Sequence, residues 1–187
     1  MTEIRVQNLC KTYGDHVVLR NLSFTAGVGL TRILGRSGAG KTTLLRILLG
    51  LDQPDSGSLF GTNCRWAAVF QEDRLLGHLD AEDNLRFALG SAYNAAAAKA
   101  LLGELGLADV GSKPICEYSG GMKRRLALAR ALLAPSDALI LDEPFTGLDE
   151  ENRSIALRCI LHAAQTKPVL LASHEALDLP NCKEVRL

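Results

Sequence analysis

A glycine-rich segment, Gly35–Thr42, constrains this chain more than any other feature of its sequence. It fits the pattern G-x-x-x-x-G-K-[ST] and lies between two apolar stretches, residues 30–34 and residues 43–49. The first stretch predicts a β-strand and the second predicts a helix. A strand, a glycine-rich turn and a helix in this order direct backbone N–H groups and the positive end of the helix dipole at one point.

The side chains of this segment have the chemistry that a triphosphate requires. Glycine accepts positive φ and lets an anion approach the backbone without a Cβ in the way. Lys41 has the reach to contact the outer phosphates, and the Thr42 hydroxyl is a ligand for Mg²⁺. We therefore predict a nucleoside triphosphate site. Its members are Gly35, Arg36, Ser37, Gly38, Ala39, Gly40, Lys41, Thr42 and Thr43.

The composition argues against several classes of protein. The 187 residues carry a formal net charge of zero, with 47% hydrophobic and 22% charged residues, as is typical of a folded globular protein. A neutral chain has no basic field, so we expect no nucleic-acid partner. We expect neither a membrane span nor a signal peptide, because no apolar run has the length or position. The five scattered cysteines indicate reduced thiols in a cytosolic protein.

Strand and helix patterns alternate along most of the chain, which predicts an α/β protein with a mainly parallel sheet and helices on both faces. We expect residues 1–187 to form one domain, with a helical subdomain inserted at roughly 72–134 and Asp80 as an N-cap within it. Residues 53–57 have turn chemistry. Strands are predicted at 4–9, 17–22, 30–34, 66–70, 138–141 and 169–172, and helices at 43–49, 95–105, 122–133 and 150–164.

Two adjacent carboxylates, Asp142 and Glu143, follow the apolar strand 138–141. The carboxyl end of a parallel strand faces the same crevice as a phosphate loop on a neighbouring strand. One carboxylate there can hold Mg²⁺, usually through water, and the other can polarise an attacking water. An acidic turn without function is the alternative, and the presence of the phosphate loop argues against it.

A second glycine-rich segment, residues 118–122, precedes the predicted helix at 122–133. Ser119 is a good N-cap, and the adjacent glycines leave backbone N–H groups open for an anion. The segment is therefore either a simple cap or an anion site. The basic run 123–125 opposes the helix dipole. It is either a solvated face or is compensated by an anion or an acidic partner.

Together these segments resemble the ABC-type ATPases along essentially the whole chain. Tyr118-Ser-Gly-Gly-Met122 resembles the signature motif of that family, and Leu141–Asp149 resembles its Walker B and D-loop segment. Gln71 and His174 match its Q-loop and H-loop positions. The resemblance implies a P-loop NTPase fold of the ABC ATPase type. Its core would be a mainly parallel sheet, with a small N-terminal antiparallel sheet and a helical insertion.

The resemblance also implies that ATP and Mg²⁺ are the cofactors. Thr42 and Gln71 would ligate Mg²⁺, and Asp142 would support the metal through water. Glu143 would be the general base, with Lys41 on the phosphates and His174 at the γ-phosphate.

Further members of the site are implied at the edges of the nucleotide. Tyr13 would stack on adenine, although Tyr-Gly is also ordinary turn chemistry. Ser119, Gly120 and Gly121 would act across a head-to-tail dimer, and Asp149 would couple the two sites. The signature departs from the commonest sequence at Tyr118 and Met122, which lie beside its Ser-Gly-Gly core.

The segment Val69–Leu76 and the phosphate loop resemble those of nitrate, sulfonate and taurine-type importer ATPases, with departures at Gly77 and Asp80. The implied function is ATP-driven transport, in the direction of import. The implied partners are an integral-membrane permease, a second ATPase subunit forming a homodimer, and a solute-binding protein. The chain would lie in the cytoplasm at the inner face of the cell membrane. The short segment after His174 predicts no regulatory C-terminal domain. The alternative is a nucleotide-gated signalling component of a membrane complex that moves no solute.

Overall fold

The computed structural model of the protein describes residues 2–174 and 182–187. Its strands are β1 (Ile4–Tyr13), β2 (His16–Ala26), β3 (Gly29–Leu34), β4 (Ser56–Phe60), β5 (Trp66–Val69), β6 (Ala138–Asp142), β7 (Pro168–Ala172) and β8 (Lys183–Arg186). Its helices are α1 (Lys41–Leu48), α2 (Ala81–Leu89), α3 (Ala95–Glu104), α4 (Gly120–Leu133) and α5 (Glu150–Ala164), with short 3₁₀ turns at Gly90–Ala92, Ala108–Val110 and Ile115–Glu117.

The strands form two sheets, and the predicted fold class is confirmed. A three-stranded antiparallel sheet has the order β2-β1-β4, and a five-stranded sheet has the order β5-β6-β7-β3-β8 with parallel pairs. Every residue of β6 and β7 is buried. Strands that are covered on both faces need such continuous apolar runs, and this is why both were visible in the sequence.

The larger sheet separates two hydrophobic clusters. Leu139 and Leu141 of β6 belong to the cluster that includes residues of α4 and α5. Ile140, between them, belongs to the cluster that includes residues of α1 and the antiparallel sheet. Alternate side chains of one strand point to opposite faces, so β6 packs against both hydrophobic clusters. This packing fixes the position of the strand end at which Asp142 and Glu143 lie.

The helices between β5 and β6 begin at polar caps. Asp80 accepts a hydrogen bond from the Asp83 N–H at 2.9 Å, as predicted, and Asn94 accepts one from the Ala97 N–H at 3.0 Å. Each cap satisfies an N–H that has no partner within its helix. None of the helices in residues 2–174 and 182–187 is both long and apolar enough to cross a membrane.

Two edge strands were not predicted from the sequence. β4 begins at Ser56, inside the segment predicted as a turn, and pairs with β1; β8 pairs with β3. Neither has the apolar pattern of a strand, because β4 opens with Ser-Gly-Ser and has no fully buried residue, and β8 buries Val185 alone. Gly57 in β4 has φ +103°, and a Cβ there would lie 2.7 Å from the Asn8 carbonyl oxygen. A glycine that looked like a turn residue is therefore required by close strand pairing.

Candidate functional site

Four parallel strands end at one edge of the larger sheet, and the predicted site residues follow them. β3 leads into the phosphate loop, β5 into Gln71, β6 into Asp142 and Glu143, and β7 into His174. A cavity of about 330 Å³ opens at this edge, here called the Lys41 cavity. It is lined by Tyr13, His16, Val18, Ser37, Gly38, Gly40, Lys41, Thr42, Thr43, Gln71, Asp142 and Glu143.

The phosphate loop has the backbone that an anion site requires. Gly38 and Gly40 have φ of +80° and +96°, and a Cβ on Gly40 would lie 2.6 Å from Cγ1 of Val18. Gly40 is also the N-cap of α1, and no side chain bonds to the first N–H groups of that helix. The first turn of α1 thus presents donors and the positive end of a helix dipole to the cavity.

Lys41 is held between the loop and the acidic strand end. Its ammonium donates to the carbonyl oxygens of Gly35 at 2.8 Å and Arg36 at 3.2 Å, and it lies 3.9 Å from Oε1 of Glu143. The residue is only 8% exposed. A buried cation whose partners are two carbonyls of its own loop and one carboxylate suits an anionic ligand entering beside it.

Thr42 and Asp142 form a pair across the sheet edge. The Thr42 hydroxyl donates to Oδ2 of Asp142 at 2.8 Å. Burial of Asp142 raises its pKa, and the charge of Glu143 adds to the rise, whereas the Thr42 hydrogen bond opposes it. With Gln71 on the same cavity, the donor set is a hydroxyl, an amide and a carboxylate, and these oxygen ligands fit Mg²⁺.

Glu143 is positioned by contacts on its backbone and its carboxylate. Its φ is +51°, in the left-handed region, and its N–H donates to the Ala172 carbonyl at 2.9 Å. Its Oε2 lies 3.0 Å from Nδ1 of His174 and accepts a weaker bond from the His174 N–H at 3.4 Å. A non-glycine residue at positive φ costs about 1 kcal/mol or more, so the surroundings must hold it there.

Tyr13 lies at the cavity with its hydroxyl fixed. The hydroxyl donates to Oδ2 of Asp52, and this hydrogen bond is the main cause of the raised pKa of Tyr13. The ammonium of Lys11 lies 4.9 Å from the centre of the ring. The ring is exposed at the mouth of the cavity, where the predicted stacking on adenine has room.

The signature segment lies apart from the Lys41 cavity. Ser119, Gly120, Gly121 and Asp149 line a second cavity of about 340 Å³, here called the Ser119 cavity. Ser119 caps α4 by accepting from the Met122 N–H at 3.2 Å, and Asp149 caps α5 by accepting from the Asn152 N–H at 2.8 Å. The two cavities share no lining residue. The structure therefore brings the phosphate loop together with Gln71, Asp142 and Glu143, and leaves the signature elsewhere.

The basic run 123–125 has partners that neither sequence interpretation included. Arg124 is 3% exposed and donates to the carbonyls of Phe70 and Glu143. Arg125 donates to the Leu105 and Gly106 carbonyls at 2.7 and 3.2 Å. For Arg124 the solvated face is wrong, because its side chain is buried against these carbonyls, whereas Arg125 is half-buried and lines the Ser119 cavity. Carbonyls of distant segments carry no sequence signal; the one clue was an arginine placed against the helix dipole.

Comparisons with known proteins agree with this geometry. A model of the ABC transporter family matches residues 19–146, which is more than half of the chain. The aliphatic sulfonates import ATP-binding protein SsuB of Corynebacterium glutamicum is 39% identical over 181 residues, covering 92% of this chain and 74% of that protein. Nod factor export ATP-binding protein I of Cupriavidus metallidurans is 39% identical over 191 residues, covering 91% of this chain and 62% of that protein.

A solved structure matches over nearly its full length. The putative ABC transporter ATP-binding protein from Pyrococcus furiosus has a TM-score of 0.88 and 25% identity, covering 99% of this chain and 97% of that one. The chain spans about 62% of the length of the Nod factor export relatives. The family match and the identity to named ATP-binding proteins confirm the resemblance seen in the sequence: this chain belongs to the ABC transporter family.

Proposed function

We propose that this chain is the ATP-hydrolysing subunit of an ABC transporter and drives solute movement through a membrane permease. The observation that carries the proposal is the convergence on one cavity of Lys41, the Thr42–Asp142 pair and Glu143 with His174 bonded to it. A cation, a metal-ligating pair and a carboxylate at the N-terminus of a helix are the parts that phosphoryl transfer to water needs.

The proposed chemistry assigns one role to each group. The oxygen of a water molecule attacks the γ-phosphorus while the Glu143 carboxylate accepts a proton from that water. The bond from the γ-phosphorus to the bridging oxygen breaks, and ADP leaves with the electron pair. Lys41 stabilises the charge on the phosphate oxygens, and His174 orients the carboxylate and contacts the γ-phosphate. Bound Mg²⁺ would neutralise charge on the phosphates, held by Thr42 and Gln71, with Asp142 acting through water.

The proposal includes a head-to-tail homodimer. Ser119, Gly120 and Gly121 line the Ser119 cavity, which has no lining residue in common with the Lys41 cavity of the same chain. Their helix begins at Gly120, so its N-terminus presents N–H groups outward. A second copy, facing the first, would complete the nucleotide site with these donors, and Asp149 would couple the two sites.

The proposed partners are an integral-membrane permease and, with import as the direction, a solute-binding protein. The named relatives support the permease but include both an importer and an exporter subunit at equal identity. The proposed location is cytoplasmic, at the inner face of the cell membrane. We also propose that residues 1–187 are one ABC ATPase domain with a helical subdomain inserted at roughly 72–134.

Two measurements test this function. Phosphate release from Mg-ATP by the purified chain should greatly exceed that of a Lys41→Ala control, and equal rates would refute hydrolysis. Affinity purification of the tagged chain from detergent-solubilised membranes, with mass spectrometry, should recover a multi-spanning permease. A solute-binding protein alongside it supports import. A single-span or wall-associated partner without a permease would replace transport by the signalling alternative.

A further inference from the structure

The side chain of Arg124 connects three segments that the sequence separates widely. It lies in the second turn of α4, and its guanidinium is almost completely buried. Nη1 donates to the Phe70 carbonyl at 2.6 Å and to Oδ1 of Asp73 at 3.0 Å. Nη2 donates to the Asp142 carbonyl at 2.7 Å and to the Glu143 carbonyl at 2.6 Å, and Nε also donates to the latter at 3.2 Å.

These carbonyls lie where the sheet ladder stops. β5 and β6 pair through Val69 and Leu141, and the residues that follow on both strands leave the parallel ladder between them. A buried carbonyl without a donor destabilises the fold, and hydrogen bonds from a charged donor are stronger than neutral ones. The Arg124 side chain thus links the ends of β5 and β6 by bonding carbonyls on both, directly beyond their last paired residues. Gln71 and Glu143 lie at these two strand ends.

The contact to Glu143 fixes a residue whose backbone is unfavourable. The N–H of Glu143 is bonded to Ala172, and its carbonyl is bonded to Arg124. These two backbone hydrogen bonds hold Glu143 at φ +51°. The position of its backbone in turn places the carboxylate beside His174. The Thr146 N–H also donates to the Glu143 carbonyl, at the longer distance of 3.3 Å.

We propose that Arg124 is a positioning residue for ATP hydrolysis, which aligns the Glu143 carboxylate and the Gln71 loop by holding the carbonyls of Phe70, Asp142 and Glu143. The inference rests on the proposed function and adds to it a residue that contacts neither nucleotide nor metal. Its hydrogen bonds go to Phe70, Gln71, Asp73, Asp142 and Glu143 and not to the phosphate loop, so we expect it to affect the rate of the chemical step more than ATP affinity.

The test is Arg124→Lys, measured for phosphate release, ATP affinity and thermal stability. Lysine keeps the charge but presents a single point donor, so it cannot span the β5 and β6 carbonyls together. We expect kcat to fall on the order of a hundredfold, as for a misplacement near 1 Å, with KM and the ATP dissociation constant little changed. Tm should fall as well, because buried carbonyls lose a donor. Lys123→Gln is the matched control and should keep wild-type kcat, because the Lys123 side chain makes no hydrogen bond or ion pair within residues 2–174 and 182–187.

A second variant, Asp73→Asn, tests the same contact from the other side. It weakens one anchor of the guanidinium and leaves the carbonyls, so we expect a smaller loss of kcat at unchanged ATP affinity. This variant decides the matter if Arg124→Lys does not fold.

Two results would overturn the inference. One is a kcat near that of the wild type in the variants that fold. The other is a loss of ATP affinity as large as the loss of kcat, which indicates a merely structural residue. If the wild type itself releases no phosphate above the Lys41→Ala control, the proposed function fails and the inference falls with it, which is a distinct outcome.

Discussion

The two cavities that carry the predicted ATP-binding residues are built in opposite ways. In the Lys41 cavity the polar groups bond across the sheet edge, from Thr42 to Asp142 and from Glu143 to His174. In the Ser119 cavity, Ser119 and Asp149 bond to backbone N–H groups within the first turns of their own helices. The first cavity is thus arranged by the fold of one chain, while the second only presents capped helix ends. Variants in the first should act within their own chain, and variants in the second should act on a partner.

The largest expected effect is that of Glu143→Gln in the Lys41 cavity. Removing the proposed general base should lower turnover on the order of a thousandfold while leaving ATP binding intact. The variant should accumulate as an ATP-bound dimer, measurable by size-exclusion chromatography with light scattering in Mg-ATP. Glu151→Gln, an exposed carboxylate on α5, is the control. A variant that stays monomeric, or that turns over within tenfold of the wild type, contradicts the dimer mechanism.

Mixing two inactive variants tests whether the Ser119 cavity acts on a partner. Ser119→Asp keeps an N-cap residue but adds a negative charge facing the phosphates, so we expect turnover to fall on the order of a hundredfold with monomeric ATP binding unchanged. Lys41→Ala should be inactive for a different reason. A mixed dimer of the two has one intact site, and the mixture should release more phosphate than either variant alone. Absence of recovery, with mixed dimers demonstrated, means that Ser119 acts within its own chain.

A smaller effect is expected at the mouth of the Lys41 cavity. Tyr13→Ala removes the ring proposed to stack on adenine and should weaken ATP binding about tenfold. Tyr13→Phe keeps the ring and loses the hydroxyl's bonds to Asp52 and Thr43, so its affinity should stay near that of the wild type. Equilibrium titration with a fluorescent ATP analogue gives both values. If Tyr13→Phe weakens ATP binding as much as Tyr13→Ala, then the hydroxyl, and not stacking of the ring, contributes to ATP affinity.

The smallest expected effect is on stability, and its sign differs between the cavities. Burial raises the pKa of Asp142, so ionisation of this carboxyl lowers the free energy of unfolding. The loss of stability is complete at a pH above the pKa of the folded state. It disappears at a pH below the pKa of the unfolded state, which is about 4. Asp142→Asn should therefore raise Tm at pH 7, with the gain shrinking as pH falls. The Asn152 N–H lowers the pKa of Asp149, so Asp149→Asn should slightly lower Tm at pH 7. Thermal melts at several pH values measure both, and equal signs would contradict the contrast.

The sequence predicted those parts of the fold that depend on local pattern. β6 and β7 are continuous apolar runs, and the phosphate loop is a contiguous motif whose strand and helix are its neighbours. The edge strand β4 was mistaken for a turn because its Ser-Gly-Ser sequence has no strand pattern, and its hydrogen bonds come from β1.

Arg124 shows the same limit within the site. Its charge was visible, but the carbonyls that surround it belong to segments whose approach depends on the finished sheet. The site residues themselves were predicted from motifs, and the structure brings the predicted metal-ligating group, Thr42, Gln71 and Asp142, to one cavity. The assignment of each role stays a prediction until the variants above are measured.

The left-handed backbone at position 143 also restricts which amino acids a descendant of this protein could carry there. Glycine and asparagine adopt φ near +51° with little cost, whereas a β-branched residue would be strongly disfavoured. A lineage that no longer needs hydrolysis could then gain on the order of 1 kcal/mol of stability by drifting to glycine. Selection for turnover therefore works against selection for stability at this position, and relaxed selection should leave a recognisable substitution there.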